Sequence, residues 1–154
     1  MYILITIGAF LLMELVAWCT HKYLMHGLLW HLHCDHHKKT EGHFFEKNDY
    51  FFLIFAIPGM LLFLIGTLGQ HWVLFSIAAG ITLYGFTYFV VHDIFIHQRF
   101  NLFRNTQNVY LLALRRAHKM HHKHIDKENG ECFGMLFFPF RYIREAYKAS
   151  KQPA

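Results

Sequence analysis

Ten of the fourteen histidines in this chain fall into four short motifs whose spacing is that of metal ligands. His33, His36 and His37 form HxxHH, and so do His118, His121 and His122. His21 with His26, and His92 with His97, form HxxxxH. On an α-helix, residues i, i+3 and i+4 share a face, so each HxxHH is expected to project three imidazoles in one direction. A single histidine on an apolar face is ordinarily a satisfied core residue. Two matched HxxxxH/HxxHH sets are hard to explain as packing, and neutral imidazole is the commonest metal ligand.

Ten nitrogens exceed what one ion accepts. A structural or hydrolytic zinc takes three or four ligands, and a lone non-haem iron typically takes two histidines and a carboxylate. Two ions with about five nitrogens each fit better. An HxxxxH pair is about 140° apart on a regular helix. It would straddle the axis unless the helix end unwinds, which suits ligands feeding two metals or a distorted terminus. Soluble di-iron bundles use Glu and Glu-x-x-His ligands instead. An all-imidazole version at a membrane face would still activate O2, because imidazole suits iron, and it would accept zinc in a crystal. No HExxH supplies a base beside two ligands, which counts against a zinc hydrolase. Cys34 sits inside HCDHH, but a helix turns it away from the histidine face. The three scattered cysteines read as free thiols.

The elements that must position these histidines are apolar. The chain is 55% hydrophobic with mean hydropathy +0.22, yet it carries 15 Lys and Arg, segregated from the apolar runs. Tyr2–Cys19 reads as a first membrane span, Tyr50–Leu68 and Trp72–Val91 as two more joined by a tight turn at Gly69–Gln70, with Pro58–Gly59 kinking the first arm. Every basic residue falls in Thr20–Asn48 or after His92. The positive-inside rule therefore puts both histidine segments on the cytoplasmic face. The hairpin is a requirement of the site, because an odd number of crossings between His37 and His92 would split it. Transporter sites usually lie near the bilayer midplane, whereas these histidines lie at span ends, which counts against a metal transporter.

Asn108–His124 is expected to be an amphipathic helix too charged to span, and Cys132–Phe140 a segment lying in the interface. A fourth, re-entrant span stays open, and the tail from Lys148 reads as frayed. His31 and His43 fit no repeated spacing, and His71 reads as incidental. Tyr84, Tyr88 and His92 form a stripe leading to the site. Glu14, two turns before His21, is costly within a span. Glu14 and Asp93 are expected to orient ligating imidazoles without touching the metal. No basic stripe with stacking aromatics stands apart from the histidine motifs, so nucleic acid is not an expected partner. The fold class expected is all-α, a single multi-pass membrane domain over residues 1–154 with three to four membrane helices.

HKYLMHG, then HCDHH, FxxND, YGFTYFVVHDIFIHQRF, AHKMHH and CFGMLFF together resemble the bacterial carotenoid β-ring hydroxylases. These belong to the fatty acid hydroxylase/sterol desaturase superfamily, and the resemblance runs from Glu14 to about Pro139. The histidine motifs alone identify only the superfamily; VHDxxxHQR with AHxMHH at this short length looks specific to the carotenoid branch. The resemblance implies a membrane di-iron mono-oxygenase that hydroxylates C3 of the β-carotene rings, giving β-cryptoxanthin and then zeaxanthin. It implies His21, His26, His33, His36, His37, His92, His97, His118, His121 and His122 as ligands of two iron ions. Electrons would come from a ferredoxin-type or NAD(P)H-linked donor, and the home would be a bacterial cytoplasmic membrane. The stretch LLWHL before HCDHH departs from relatives richer in Trp and Gly. A 4-ketolase, a fatty acid hydroxylase or a desaturase is the competing reading within the class. C3 is not allylic whereas C4 is, so attack at C3 must be imposed by positioning. A rigid apolar pocket including Trp18, Tyr84, Phe89 and Phe95 is expected to hold the ring.

Overall fold

The computed structural model describes residues 1–38, 45–100 and 102–151, and among these it is all-helical. Helix α1 covers Tyr2–Cys19 and runs directly into a π-helical segment, π1, Thr20–Leu28. Helix α2 is Trp30–His37, and a 3-10 turn at Lys47–Tyr50 leads into α3, Phe51–Leu68. Helix α4, Trp72–Tyr88, continues into a second π segment, π2, Phe89–Ile96; α5 is Val109–Lys123 and α6 is Arg141–Ser150.

Three of these units are long and apolar enough to cross a membrane: Tyr2–Leu28, Lys47–Leu68 and Trp72–Ile96. They match the three expected spans, each lengthened at its histidine end. The fourth span is not found among the described residues, since α6 is short and carries Arg141, Arg144, Glu145 and Lys148. It does carry the chain in helical form past Lys148, so the expected fraying does not begin there. His43 lies outside the described residues.

The spans pack as α1 against α4 and α3 against α4. The α1–α4 approach depends on Gly80: a Cβ there would lie 2.5 Å from the Thr6 carbonyl oxygen and 2.6 Å from the Ala9 Cβ. Met13, Tyr84 and Met135 form the buried centre of this layer, with Phe10, Phe55 and Ile81 packed around it. Most other apolar side chains of the spans point outward, which is the expected surface for a protein solvated by lipid. Helix α3 runs through Pro58 as one helix.

A second cluster lies outside the spans, where Ala113 and Ala117 of α5 meet Tyr142 and Ala146 of α6. Helix α5 starts as its sequence requires, with the Asn108 side chain accepting from the Leu111 N–H at 3.1 Å. The segment 131–140 is not helical. Its middle turns inward, with Met135 buried, and Phe137, Pro139 and Phe140 are exposed.

Candidate metal centre

The two HxxxxH pairs lie in or at the end of the π segments, and this resolves their awkward spacing. In a π-helix the backbone bonds run from i to i−5: Leu29 N–H donates to Leu24 at 2.8 Å, and His97 N–H donates to His92 at 2.9 Å. The wider turn brings residue i+5 over residue i. His21 and His26 therefore face the same way, their rings 5.2 Å apart, and His92 and His97 stand 4.4 Å apart. The helix end is distorted, and each pair serves one side of the site instead of straddling the axis.

The ring nitrogens collect in two groups. In one, donor nitrogens of His21, His26, His33, His37 and His121 all lie within 4.8 Å of one another; in the other, those of His36, His97, His118 and His122 do. His92 stands at the rim of the second group, its Nε2 3.3 Å from that of His36. The HxxHH motifs do not act as single faces. Residues i and i+4, His33 with His37 and His118 with His122, go to one group, whereas the i+3 member crosses to the other. The reason is angular: i+3 and i+4 lie on opposite sides of the line through i, about 100° apart. Each HxxxxH/HxxHH set thus builds one group and lends its middle histidine to the other, His36 in one direction and His121 in the reverse.

The outer nitrogens are held by acceptors. His21 Nδ1–H donates to the Phe133 carbonyl at 2.9 Å, His26 to Lys127 at 3.3 Å, His37 to His124 at 2.9 Å and His121 to Glu131 at 2.8 Å. His33 donates to Asn48 Oδ1 at 2.6 Å, and His36 to Glu46 Oε2 at 2.6 Å. A carbonyl or carboxylate oxygen can only accept, so the proton sits on Nδ1 and Nε2 keeps its lone pair. Yet Nε2 of His33 faces Nε2 of His21 and of His37 at 3.1 Å, and Nε2 of His26 faces that of His121 at 3.3 Å. Lone pair against lone pair is repulsive unless a cation lies between them.

Protonation is not the remedy. Burial, reinforced by repulsion from neighbouring imidazoles, pushes His33 down to about 3, His37 to about 4 and His121 to about 2. His36, His118 and His122 are lowered for the same two reasons. A buried set of neutral imidazoles with inward lone pairs and outward protons fits a metal-binding site, and its two groups fit two ions.

Around the second group runs a charged network. Arg99 reaches Asp49 at 2.7 Å, Glu46 at 3.3 Å and Asp93 at 3.3 Å. Burial pushes the Glu46 carboxyl up, and Arg99 opposes that shift. Glu46 and Asn48, which hold two of the imidazoles, were not singled out by spacing; both fall in FEKND, where Phe45, Asn48 and Asp49 carry the FxxND pattern.

The two acids expected to orient imidazoles are placed otherwise. Asp93 Oδ1 is 3.6 Å from His92 Nδ1, beyond hydrogen-bond reach, and its ion pair is with Arg99. Glu14 touches no imidazole. One oxygen accepts from the backbone N–H groups of Met135, Leu136 and Phe137 at 2.8–3.0 Å, and the other accepts from Tyr84 OH at 2.7 Å. Glu14 reaches the site only indirectly, by pinning the segment whose Phe133 and Glu131 carbonyls hold His21 and His121. Gly134 is part of this clamp, for a Cβ there would lie 2.5 Å from the Phe137 carbonyl oxygen and 3.0 Å from Glu14 Oε1.

A cavity of about 640 Å³ extends from the histidines into the span layer. His21, Asn48, His92 and Asp93 line its polar end, and apolar side chains of α1, α3 and α4, among them Phe51, Phe55 and Ile81, line the rest. Tyr84 and Phe89 border it, but Trp18 and Phe95 do not. Trp18 packs edge-on against Tyr23 and Phe133, with Lys22 over its ring. Phe95 is buried beneath the Arg115 guanidinium, 4.2 Å away, on the side of π2 that meets α5. Alternate faces of the span end decide both cases, and spacing alone did not reveal which face the cavity takes. Tyr88 stacks on His92 at 4.5 Å, so the tyrosine stripe ends against the site.

The family model for fatty acid hydroxylase matches residues 6–141. The chain is 42% identical over 127 residues to a beta-carotene hydroxylase of Pantoea ananas, covering 82% of this chain and 71% of that protein. It is 37% identical over 139 residues to a beta-carotene hydroxylase of Paracoccus sp. (strain PC1), covering 88% and 83%. A chloroplastic beta-carotene 3-hydroxylase of Gentiana lutea is 36% identical over 138 residues, which is 88% of this chain but 42% of that longer protein. No solved structure matches the chain.

Proposed function

The chain belongs to the fatty acid hydroxylase family, and from that premise we propose that it is a single-domain membrane di-iron mono-oxygenase hydroxylating β-carotene at C3 of its rings. The products would be β-cryptoxanthin and then zeaxanthin. The observation that carries the reading is the continuity of the cavity: its polar end reaches His21 of the first group and His92 beside the second, and its remainder is apolar and lies between the spans. A ring can reach the histidines from there without leaving an apolar medium. A carotenoid is about as long as the bilayer core is thick, roughly 30 Å, so a spanning molecule presents its ring at this depth.

His21, His26, His33, His37 and His121 would hold one iron, and His36, His97, His118, His122 and His92 the other. Iron bound there would supply activation of O2, with two electrons from a ferredoxin-type or NAD(P)H-linked donor and two protons from the aqueous side, one oxygen atom entering the C–H bond and the other leaving as water. The protein's own part is to hold the Nδ1 protons outward, keep the Nε2 lone pairs inward, exclude water and fix the ring. Fixing matters because C4, being allylic, has the weaker C–H bond. Phe51 is a side chain placed to help impose C3: it is buried, lines the cavity and lies 6.3 Å, ring to ring, from His33. The distribution of the basic residues supports a site on the cytoplasmic face of a bacterial membrane.

Expression in a β-carotene-accumulating host, with chromatography of the pigments, tests the proposal. Accumulation of β-cryptoxanthin and zeaxanthin is expected; 4-keto products, or unchanged β-carotene beside folded protein in the membrane, would count against it.

A further inference from the structure

We propose that the two metal positions are inequivalent: the first is closed by five imidazoles, and the second is held by four, with His92 a displaceable ligand on the side turned to the apolar cavity. The inference rests on the di-metal reading above and adds which position exchanges ligands.

Four observations carry it. The five nitrogens of the first group lie within a common 4.8 Å, whereas the second set holds four, and His92 stands outside it. His92 Nε2 meets His36 at 3.3 Å, so it is near enough to ligate but is not drawn in with the others. Its other nitrogen explains why. His92 Nδ1 is buried without a hydrogen-bond partner among the described residues. The nearest outer acceptor, Asp93 Oδ1, is 3.6 Å away and paired with Arg99, and an imidazole without that hydrogen bond is less firmly oriented and is a weaker donor than one that makes it. His92 also lines the cavity, so displacing it opens the position toward the substrate side.

The outer supports differ in charge as well. Every imidazole of the first group donates to a neutral oxygen: the carbonyls of His124, Lys127, Glu131 and Phe133, and the Asn48 amide. In the second group His36 donates to the Glu46 carboxylate. A carboxylate draws the Nδ1 proton and makes the imidazole a stronger donor, which favours the more oxidised ion at that position. The first position is therefore the fixed partner, and the second is where coordination and charge change.

The test uses the full chain in detergent, loaded with iron-57, with Mössbauer spectroscopy of the oxidised form and nitric oxide titration of the reduced form. The wild type should show two quadrupole doublets of equal area and bind one nitric oxide per two irons. Glu46→Gln and His92→Ala should each move the same doublet, leave the other in place and retain both ions. One doublet, movement of both doublets in Glu46→Gln, nitric oxide on both ions, or loss of an iron in His92→Ala would overturn the inference while leaving a two-iron protein. Fewer than two irons per wild-type chain would overturn both the inference and the reading beneath it.

Discussion

At the scale of single residues, the clustered imidazole nitrogens and their supports differ in how far they can be read. The histidines are legible because their chemistry is in the side chain and their spacing repeats. Four of the supports are backbone carbonyls, at His124, Lys127, Glu131 and Phe133, and no residue type marks a carbonyl that will face an imidazole. Which group each histidine joins was also hidden, because the i+3 member of HxxHH crosses over only once two helices face each other. The neutral state of the buried imidazoles has a consequence for pH. His33, His37 and His121 have folded values near 3, 4 and 2, below the ordinary 6.5. The unfolded chain then binds more protons between those values, so stability present above about 6.5 is lost as pH falls toward 4 and below. Thermal melts of the metal-free protein should show a melting temperature level above pH 7 and falling from pH 6.5 to 4. A melting temperature constant across that range would contradict the burial of neutral imidazoles.

Two phenylalanines separate the pocket from its surroundings. Phe51 lines the cavity and Phe95 does not. Phe51→Ala should let the ring shift and let oxidation leak to the allylic C4, seen as 4-hydroxy or 4-keto products per metal-loaded chain. Phe95→Ala removes a buried ring from beneath Arg115 and should cost about 3–5 kcal/mol of stability, with C3 selectivity intact. The reverse assignment of effects would move the pocket to the α5 side of π2.

At the scale of elements, the π segments and the clamp on residues 135–137 are what turn span ends into a site. A five-residue interval is useless on an α-helix and apt on a π-helix, so HKYLMH and HDIFIH were signals of distortion before they were signals of metal. The clamp could not be read from spacing. Glu14 is two turns from His21, which suggested a direct contact, but a carboxylate meeting three backbone N–H groups is fully engaged by the segment 121–123 residues further along. Glu14→Ala should free the amides of Met135, Leu136 and Phe137, raising their hydrogen-exchange rates by about tenfold or more, and should lower metal content through loss of the Phe133 and Glu131 carbonyls. Glu14→Gln keeps an acceptor and should restore much of both. Unchanged exchange at these three amides in Glu14→Ala would remove the clamp.

At the scale of the whole molecule, the apolar spans were the most legible feature, since length and hydropathy decide them, and parity then required both histidine segments to share one side. The three spans carry that out, with α1 and α4 ending at the histidines and α3 beginning there. The extent of each unit was less legible, because the π continuations carry helix past the apolar run into histidine-bearing sequence. On the proposed reading, three crossings with a cytoplasmic site would put the N-terminus outside and the C-terminus inside. A fluorescent protein fused after Ala154 should fluoresce, and alkaline phosphatase at the same position should be inactive. The opposite pair of results would place the site on the other face.

The central claim is that this molecule inserts one atom of O2 at C3 of a β-ring, and isotope labelling tests it most directly. Purified iron-loaded protein, supplied with β-carotene, a reductant and 18O2, should yield zeaxanthin in which both hydroxyl oxygens carry the label. Unlabelled hydroxyl groups, or label at C4 in place of C3, would contradict it.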